Sequence, residues 1–199
     1  MTAVLTGDII NSRSGKTPNW LGILKETLQK FGKEPEQWEI YRGDSFQLEV
    51  SPKKALETAI FIKSSIKKEK NIDVRMAIGI GNKTYTSNKV TTSNGTAFIN
   101  SGECFDNLKK LNLAIQTPWS EFDEQINLSL ELALLTMNNW SPATATILTE
   151  ALEKQHHNQK ELAATLNKSQ SSISEALSRA GYDEIIKLID TYKKKLPQS

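Results

Sequence analysis

The chain has 199 residues, 38% of them hydrophobic and 24% charged, a composition that suits a folded globular protein of one large domain or two small ones. A net charge of +2 is too small for a general polyanion binder, so any affinity for nucleic acid has to come from local placement of charge. Cys104 is the only cysteine, which excludes an internal disulfide and a cysteine metal cluster. No apolar run approaches membrane-spanning length, and MTAVLTGDII is too short and lacks the basic flank of a secretion signal, so the expectation is a cytoplasmic protein with no membrane contact.

Thr2 to Ile10 is apolar and β-branched and predicts a buried strand. Trp20, Ile23, Leu24, Leu28 and Phe31 recur at helical spacing before Gly32. Trp38–Tyr41 and Ser45–Val50 flank Arg42-Gly43-Asp44 as the two arms of a hairpin. Ser51-Pro52 reads as a cap and first position of a helix carrying Leu56, Ile60 and Ile66. Asp73–Gly81 alternates as a strand, residues 82–94 read as a loop or irregular hairpin, Thr96–Leu111 as a helix, and Leu113–Gln116 as a last strand. The order β-α-β-β-α-β, with extras, predicts an α+β chain whose first part, residues 1–118, is a ferredoxin-like antiparallel sandwich. Everything after Pro118 reads as helix, which makes 119–199 an all-α domain entered by a long helix from Glu121.

Two aspartates stand out in the first part. Asp8 ends the first strand, in TGDII, and Asp44 lies at the hairpin turn, in YRGDSF; neighbouring strands can bring both carboxylates to one edge. Like charges so close call for a cation, and Mg²⁺ or Mn²⁺ bound by Asp8, the Ile9 carbonyl and Asp44 is the expected metal site. A strand-end cap and a plain turn residue explain the same two aspartates without any ligand. Arg42 and Arg75 either hold phosphates or pair with these aspartates. Arg13 and Lys16, in the loop after the first strand, are further phosphate candidates.

Asp8-Ile9, Gly43-Asp44, the strand RMAIGIG from Arg75 to Gly81, and Gly95 through Asn100 (GTAFIN) follow one another in the order of the class III nucleotide cyclase and GGDEF catalytic fold, which residues 2–116 resemble. The resemblance implies a nucleotide site that includes Asn100, and two metals that clamp a triphosphate. The transition-state arginine of that family is replaced here by Cys104, and the base-selecting lysine by Ile40. Loss of such a donor typically lowers rate by about 10²–10³. A degenerate, nucleotide- or metal-sensing domain is therefore expected in preference to an efficient cyclase.

In the second part, QKELAATLNKSQSSISEALS (159–178) has the form of a helix-turn-helix. Leu162, Ala163 and Leu166 make one apolar face and Ile173, Ala176 and Leu177 the next. Ala163 is small where two helices cross, Asn167 tolerates a left-handed turn, and Ser169 suits an N-cap. An ordinary helical hairpin explains the same pattern. On the DNA-binding reading, the contacts come from Gln159, Lys160, Lys168, Ser169, Gln170, Ser171, Ser172, Ser174 and Arg179. His156 and His157 are adjacent and cannot form an i, i+4 metal pair, so they read as a solvated loop.

The whole arrangement of TGDIINSR, RGDSFQ, RMAIGIG, GTAFINSGECFDNLKK and the C-terminal helix-turn-helix resembles the bacterial SatD family over nearly the full chain. The resemblance implies a small cytoplasmic protein in which a cyclase-like domain is joined to a DNA-binding one. The first reading is therefore a transcriptional regulator that senses a nucleotide or divalent metal and binds double-stranded DNA, as a homodimer because one such module buries little surface. The alternatives are a divergent metal-dependent nucleotidyl cyclase or transferase, and a non-catalytic interaction module.

Overall fold

A computed structural model describes residues 1–13, 19–153 and 158–197. Strand β1 (Thr2–Ile10) lies at the centre of a five-stranded sheet whose other members are β2 (Trp38–Tyr41), β3 (Ser45–Val50), β4 (Asp73–Gly81) and β5 (Leu113–Gln116), in the order β2-β3-β1-β4-β5. β1 runs antiparallel to both β3 and β4, and β2 runs antiparallel to β3. β5 is parallel to β4, so the sheet is mixed and not antiparallel throughout as the sequence predicts. The cause is the link between them: helix α3 (Thr96–Asp106) crosses over one face and returns the chain in the same direction.

Alternation along β1 sorts the two faces. Ala3, Leu5 and Ile9 join the main core with helices α1 (Trp20–Gln29) and α2 (Ala55–Ile66). Val4 packs on the other side with Ala97 and Phe98 of α3, and Thr6 hydrogen-bonds Ser101 of α3 at 2.8 Å. α3 lies unusually close to β4. A Cβ on Gly79 would stand 2.2 Å from the Ser101 nitrogen and 2.3 Å from the Ala97 oxygen, both backbone atoms that cannot step aside. Gly79→Ala is therefore expected to push α3 off the sheet and lower stability by about 1–3 kcal/mol or more. A urea midpoint equal to that of the parent chain would contradict this close approach.

The chain after residue 119 forms α4 (Ser120–Met137), α5 (Pro142–Glu153), α6 (Gln159–Thr165), α7 (Gln170–Ala180) and α8 (Tyr182–Lys195), which with α1–α3 make eight α-helices among the described residues. None of them is long and apolar enough to cross a membrane. These helices do not stand apart from the sheet. Every residue of α2 except Glu57 is buried, because α2 has the sheet on one side and α5 and α8 on the other. One apolar cluster runs without a break from Ala3 in β1 to Tyr192 in α8, passing through Leu130, Leu134, Leu148 and Ile189. The Tyr192 hydroxyl donates to the Pro52 carbonyl at 2.6 Å, and Thr149 of α5 donates to Ser64 of α2 at 3.0 Å. A second, smaller cluster holds α5, α6 and α7 together: Ile147, Ala151, Leu162, Ala163, Ile173, Ala176 and Leu177. α5 thus serves two cores, with Leu148 and Leu152 facing one and Ile147 and Ala151 the other.

The Ser51-Pro52 signal works differently from expectation. Pro52 opens a short 3₁₀ turn (Pro52–Lys54), Ser51 makes no side-chain cap, and α2 begins only at Ala55. α3 also stops earlier than the sequence suggests, at Asp106, and residues 82–94 contain a lone bridge between Tyr85 and Asn94.

Candidate functional site

β1, β3 and the β2–β3 turn bring the acidic residues to one end of the sheet. Asp8 sits in register with Ser45 on β3 and with Arg75 on β4. The turn is tight: Arg42 and Gly43 both have left-handed φ, +52° and +93°, and the Ile9 amide donates to the Asp44 carbonyl at 3.2 Å. That bond ties the turn to the end of β1. Asp8 and Asp44 therefore come together as neighbours, but each carboxylate has a partner of its own.

Arg75 grips Asp8 with two bonds, Nη2 to Oδ2 at 2.7 Å and Nε to Oδ1 at 3.2 Å. Its guanidinium also lies 4.7 Å from the centre of the Phe105 ring on α3, a cation–π contact. The bond to Asp8 raises the pKa of Arg75 further above its already high ordinary value, keeping the charge fixed. Asp44 accepts a 2.6 Å hydrogen bond from the Ser12 hydroxyl. Tyr41, across from Ser45, completes the edge; burial raises its hydroxyl pKa, Arg42 opposes that shift and Asp8 adds to it. Of the two readings of Arg75, pairing with aspartate is the one this arrangement displays. Arg13 and Arg42 are exposed at the same end of the sheet, and Lys16 lies outside the described residues, as do His156 and His157.

Mg²⁺ asks for six oxygens in a near-octahedral array. Both Asp8 oxygens face a guanidinium, and among the described residues no group of three or more His, Cys, Asp or Glu side chains converges. In this arrangement Arg75 already supplies the positive charge at Asp8, so a Mg²⁺ or Mn²⁺ there would have to displace the guanidinium. Asn100 is likewise engaged: its amide donates to the Ile80 carbonyl at 2.7 Å and so pins α3 to β4. Cys104 is buried against Ala77 and Leu108. Burial, with a smaller contribution from Asp123, pushes its thiol pKa up to about 12, which leaves it neutral and a poor nucleophile.

The other candidate surface is α6, the 166–169 turn and α7. Asn158 caps α6 by accepting from the Lys160 and Glu161 amides, both at 3.0 Å. The turn closes through Lys168 N–H to Ala163 O at 2.9 Å, with Asn167 left-handed at φ +49°. Ser169 caps α7 by accepting from the Ser172 amide at 3.2 Å, and its hydroxyl also bonds those of Ser171 and Ser172. Ile173, Ala176 and Leu177 point inward, whereas Gln159, Lys160, Lys168, Ser169, Gln170, Ser171, Ser172, Ser174 and Arg179 are all exposed. Arg179 lies 3.5 Å from Glu175, an exposed pair of little energetic weight. Glu161 and Glu175 offset part of the charge of Lys160, Lys168 and Arg179, leaving this segment only weakly basic.

Sequence reasoning missed Ser12, Tyr41 and Phe105 at the carboxylate edge. Ser12 follows the strand motif directly and could have been marked from that position, but the Phe105 contact depends on how α3 lies on β4, which no spacing reveals. No protein family, curated protein or solved structure matches this chain, so its functional reading rests on its own residues and geometry.

Proposed function

We propose that the protein is a DNA-binding regulator in which α6 and α7 form a helix-turn-helix carried on a ferredoxin-like, cyclase-like sandwich of the SatD type. The observation that carries this reading is α7 itself. It is locked at its inner face by α5 and α6 and capped by Ser169, yet it presents Gln170, Ser171 and Ser174 outward in its first turns. A recognition helix makes its base contacts there. No acidic residue lies in that first turn, so the helix dipole is left to face phosphate. The strand order β2-β3-β1-β4 and the α1, α2 layer support the ferredoxin-like part.

The sandwich is the sensing part, and its ligand is a nucleotide whose phosphates compete with Asp8 for Arg75. The enzymatic alternative requires Asp8 to leave the guanidinium and take up a metal; its signature is ATP or GTP turnover with Mg²⁺ or Mn²⁺ that disappears in Asp8→Ala.

The test selects duplexes from a random-sequence pool with the full chain and measures affinity for the winners by fluorescence anisotropy. Gln170→Ala is expected to weaken the selected duplex by about 5–100-fold, the scale of one good base contact, and to narrow its margin over a scrambled duplex. Failure to enrich any sequence, or equal loss on both duplexes, would count against base reading by α7.

A further inference from the structure

α4 is apolar on two sides. Phe122, Ile126, Leu130, Leu134 and Met137 face the protein's own core, but Leu128, Leu132 and Leu135 point outward and are 61%, 62% and 71% exposed. Their spacing of four and three residues makes a continuous stripe, and Gln125, whose carboxamide accepts from Lys195 of α8 at 2.6 Å, continues it towards the start of α4. Three neighbouring exposed leucines on one helix mark an interaction surface. Beside the stripe runs a groove of about 670 Å³ between α4 and α8, lined by Leu132, Ala133, Thr136, Ile185, Lys187 and Leu188.

We propose that this surface holds a second copy of the same chain, with the two α4 helices side by side and parallel. The charges select that occupant. The exposed charged residues of α4, Glu121, Glu124 and Glu131, are all acidic, whereas the adjoining α8 presents Lys187 at the groove, next to Glu184; of its terminal lysines, Lys193 is paired with Glu57 and Lys195 with Gln125 of the same chain. A lipid surface is disfavoured, because membrane-lying helices flank their apolar face with lysine and arginine.

The heptad frame sets the direction. With Leu132 at position a, Leu128 and Leu135 fall at d, Glu124 and Glu131 at g, and Ser129 and Thr136 at e. In an antiparallel pair the g positions face each other and the glutamates repel. In a parallel pair g faces e, so Glu131 meets the second copy's Thr136 and, beyond it, Lys187 at the lip of the groove. Three leucines alone fall short of the roughly 800 Å² per partner of a stable interface. The groove lies on the side that a parallel pair brings into contact and supplies further apolar area. This arrangement rests on the DNA-binding reading only for its purpose. A built Cβ on Gly181, at the α7–α8 junction, lies 3.7 Å from Thr136, so α7 ends beside the C-terminal end of α4. A parallel pair therefore puts both α7 helices at one end of the two-fold axis, as two half-sites require.

The test uses the full chain without DNA, so its outcome is independent of any operator. Light scattering behind size exclusion, over a concentration series, is expected to give twice the 22.3 kDa chain mass for the parent and a single chain mass for Leu132→Glu and Leu135→Glu. Both substitutions fall on exposed positions, and an unchanged circular dichroism melt checks that they leave the fold intact. Gln125→Cys, oxidised gently, is expected to form a disulfide-linked pair, since two a positions meet across a parallel seam. An antiparallel pair centred on Leu132 would separate them by about 21 Å. A parent chain of single mass at every concentration, a Leu132→Glu chain that stays paired, or a Gln125→Cys chain that does not link would each overturn the proposal.

Discussion

Asp73→Ala is expected to destabilise the protein by about 3–5 kcal/mol, because it leaves a buried lysine without its counter-charge. Lys63 is fully enclosed in α2, and its ammonium donates to Asp73 Oδ1 at 2.7 Å. Lys67 stands 3.5 Å from the other oxygen of the same carboxylate, and Asp73 Oδ1 also accepts from the Val74 amide at 2.8 Å. Burial lowers the pKa of Lys63 below its ordinary 10.5, Asp73 opposes the shift through its charge and hydrogen bond, and Lys67 adds to it. A lysine whose pKa is lowered on folding binds fewer protons in the native state than in the unfolded one. Its contribution to stability therefore rises with pH, from the depressed folded value up to 10.5. Without Asp73 the depression deepens, so the penalty of the substitution is largest near neutrality and shrinks as pH approaches 10.5. Urea unfolding of parent and variant at neutral and alkaline pH checks both the size and the slope. A penalty that is small, or that grows with pH, would show that Lys63 is not charged in the fold. Lys63→Met, which removes the charge and keeps the stem, is expected to cost much less.

Trp140→Ala is the second large loss, about 3–5 kcal/mol on the scale of buried aromatic truncations. Trp140 is 3% exposed at the corner between α4 and α5, and its indole N–H donates to the Ala180 carbonyl at 3.1 Å. Ala180 is the last residue of α7, just before Gly181 turns left-handed at φ +68° to begin α8. The one side chain therefore fills the main core and anchors the proposed recognition helix to it. Trp140→Phe keeps most of the packing but drops the bond, and is expected to cost about 1 kcal/mol. Chemical denaturation gives the stabilities, and amide exchange at the end of α7 reports the loosening of that anchor. Exchange at Ala180 and Gly181 that is unaffected in Trp140→Ala would remove the anchoring role.

Much of the fold is legible in the sequence where the pattern is local. The alternation from Asp73 to Gly81 gives β4 its bounds, and Gly43 between two short β-prone runs gives the hairpin. The helices after residue 119 follow from their periodicity, and α6 and α7 also from the caps Asn158 and Ser169. The misreadings have local causes too. Pro52 at a helix start favours a 3₁₀ turn before the helix proper, and Asp106-Asn107 ends α3 although apolar residues continue to Leu111. What the sequence hides is register and crossing. The face-to-face placement of Asp8 and Arg75 follows from the β1–β4 register, and it turns a pair of apparently bare carboxylates into one ion pair and one turn. Asn100 is expected from the sequence to meet a nucleotide, yet the close seat of α3 on β4 gives its amide a backbone carbonyl instead. In α6 and α7 the Ser169 cap, the left-handed Asn167 and the inward Leu162, Ala163, Ile173, Ala176 and Leu177 stand as the sequence predicts, because each is a local property.

On the proposed function, duplex DNA is met by the exposed, weakly basic face of α7. The most direct measurement is the equilibrium affinity of the full chain for a selected duplex across a range of salt concentrations, beside Lys168→Ala. Affinity is expected to fall linearly on logarithmic axes, and Lys168→Ala to make the slope shallower by about one. Affinity that ignores salt, or a slope that Lys168→Ala leaves unaltered along with unaltered binding, would contradict that reading.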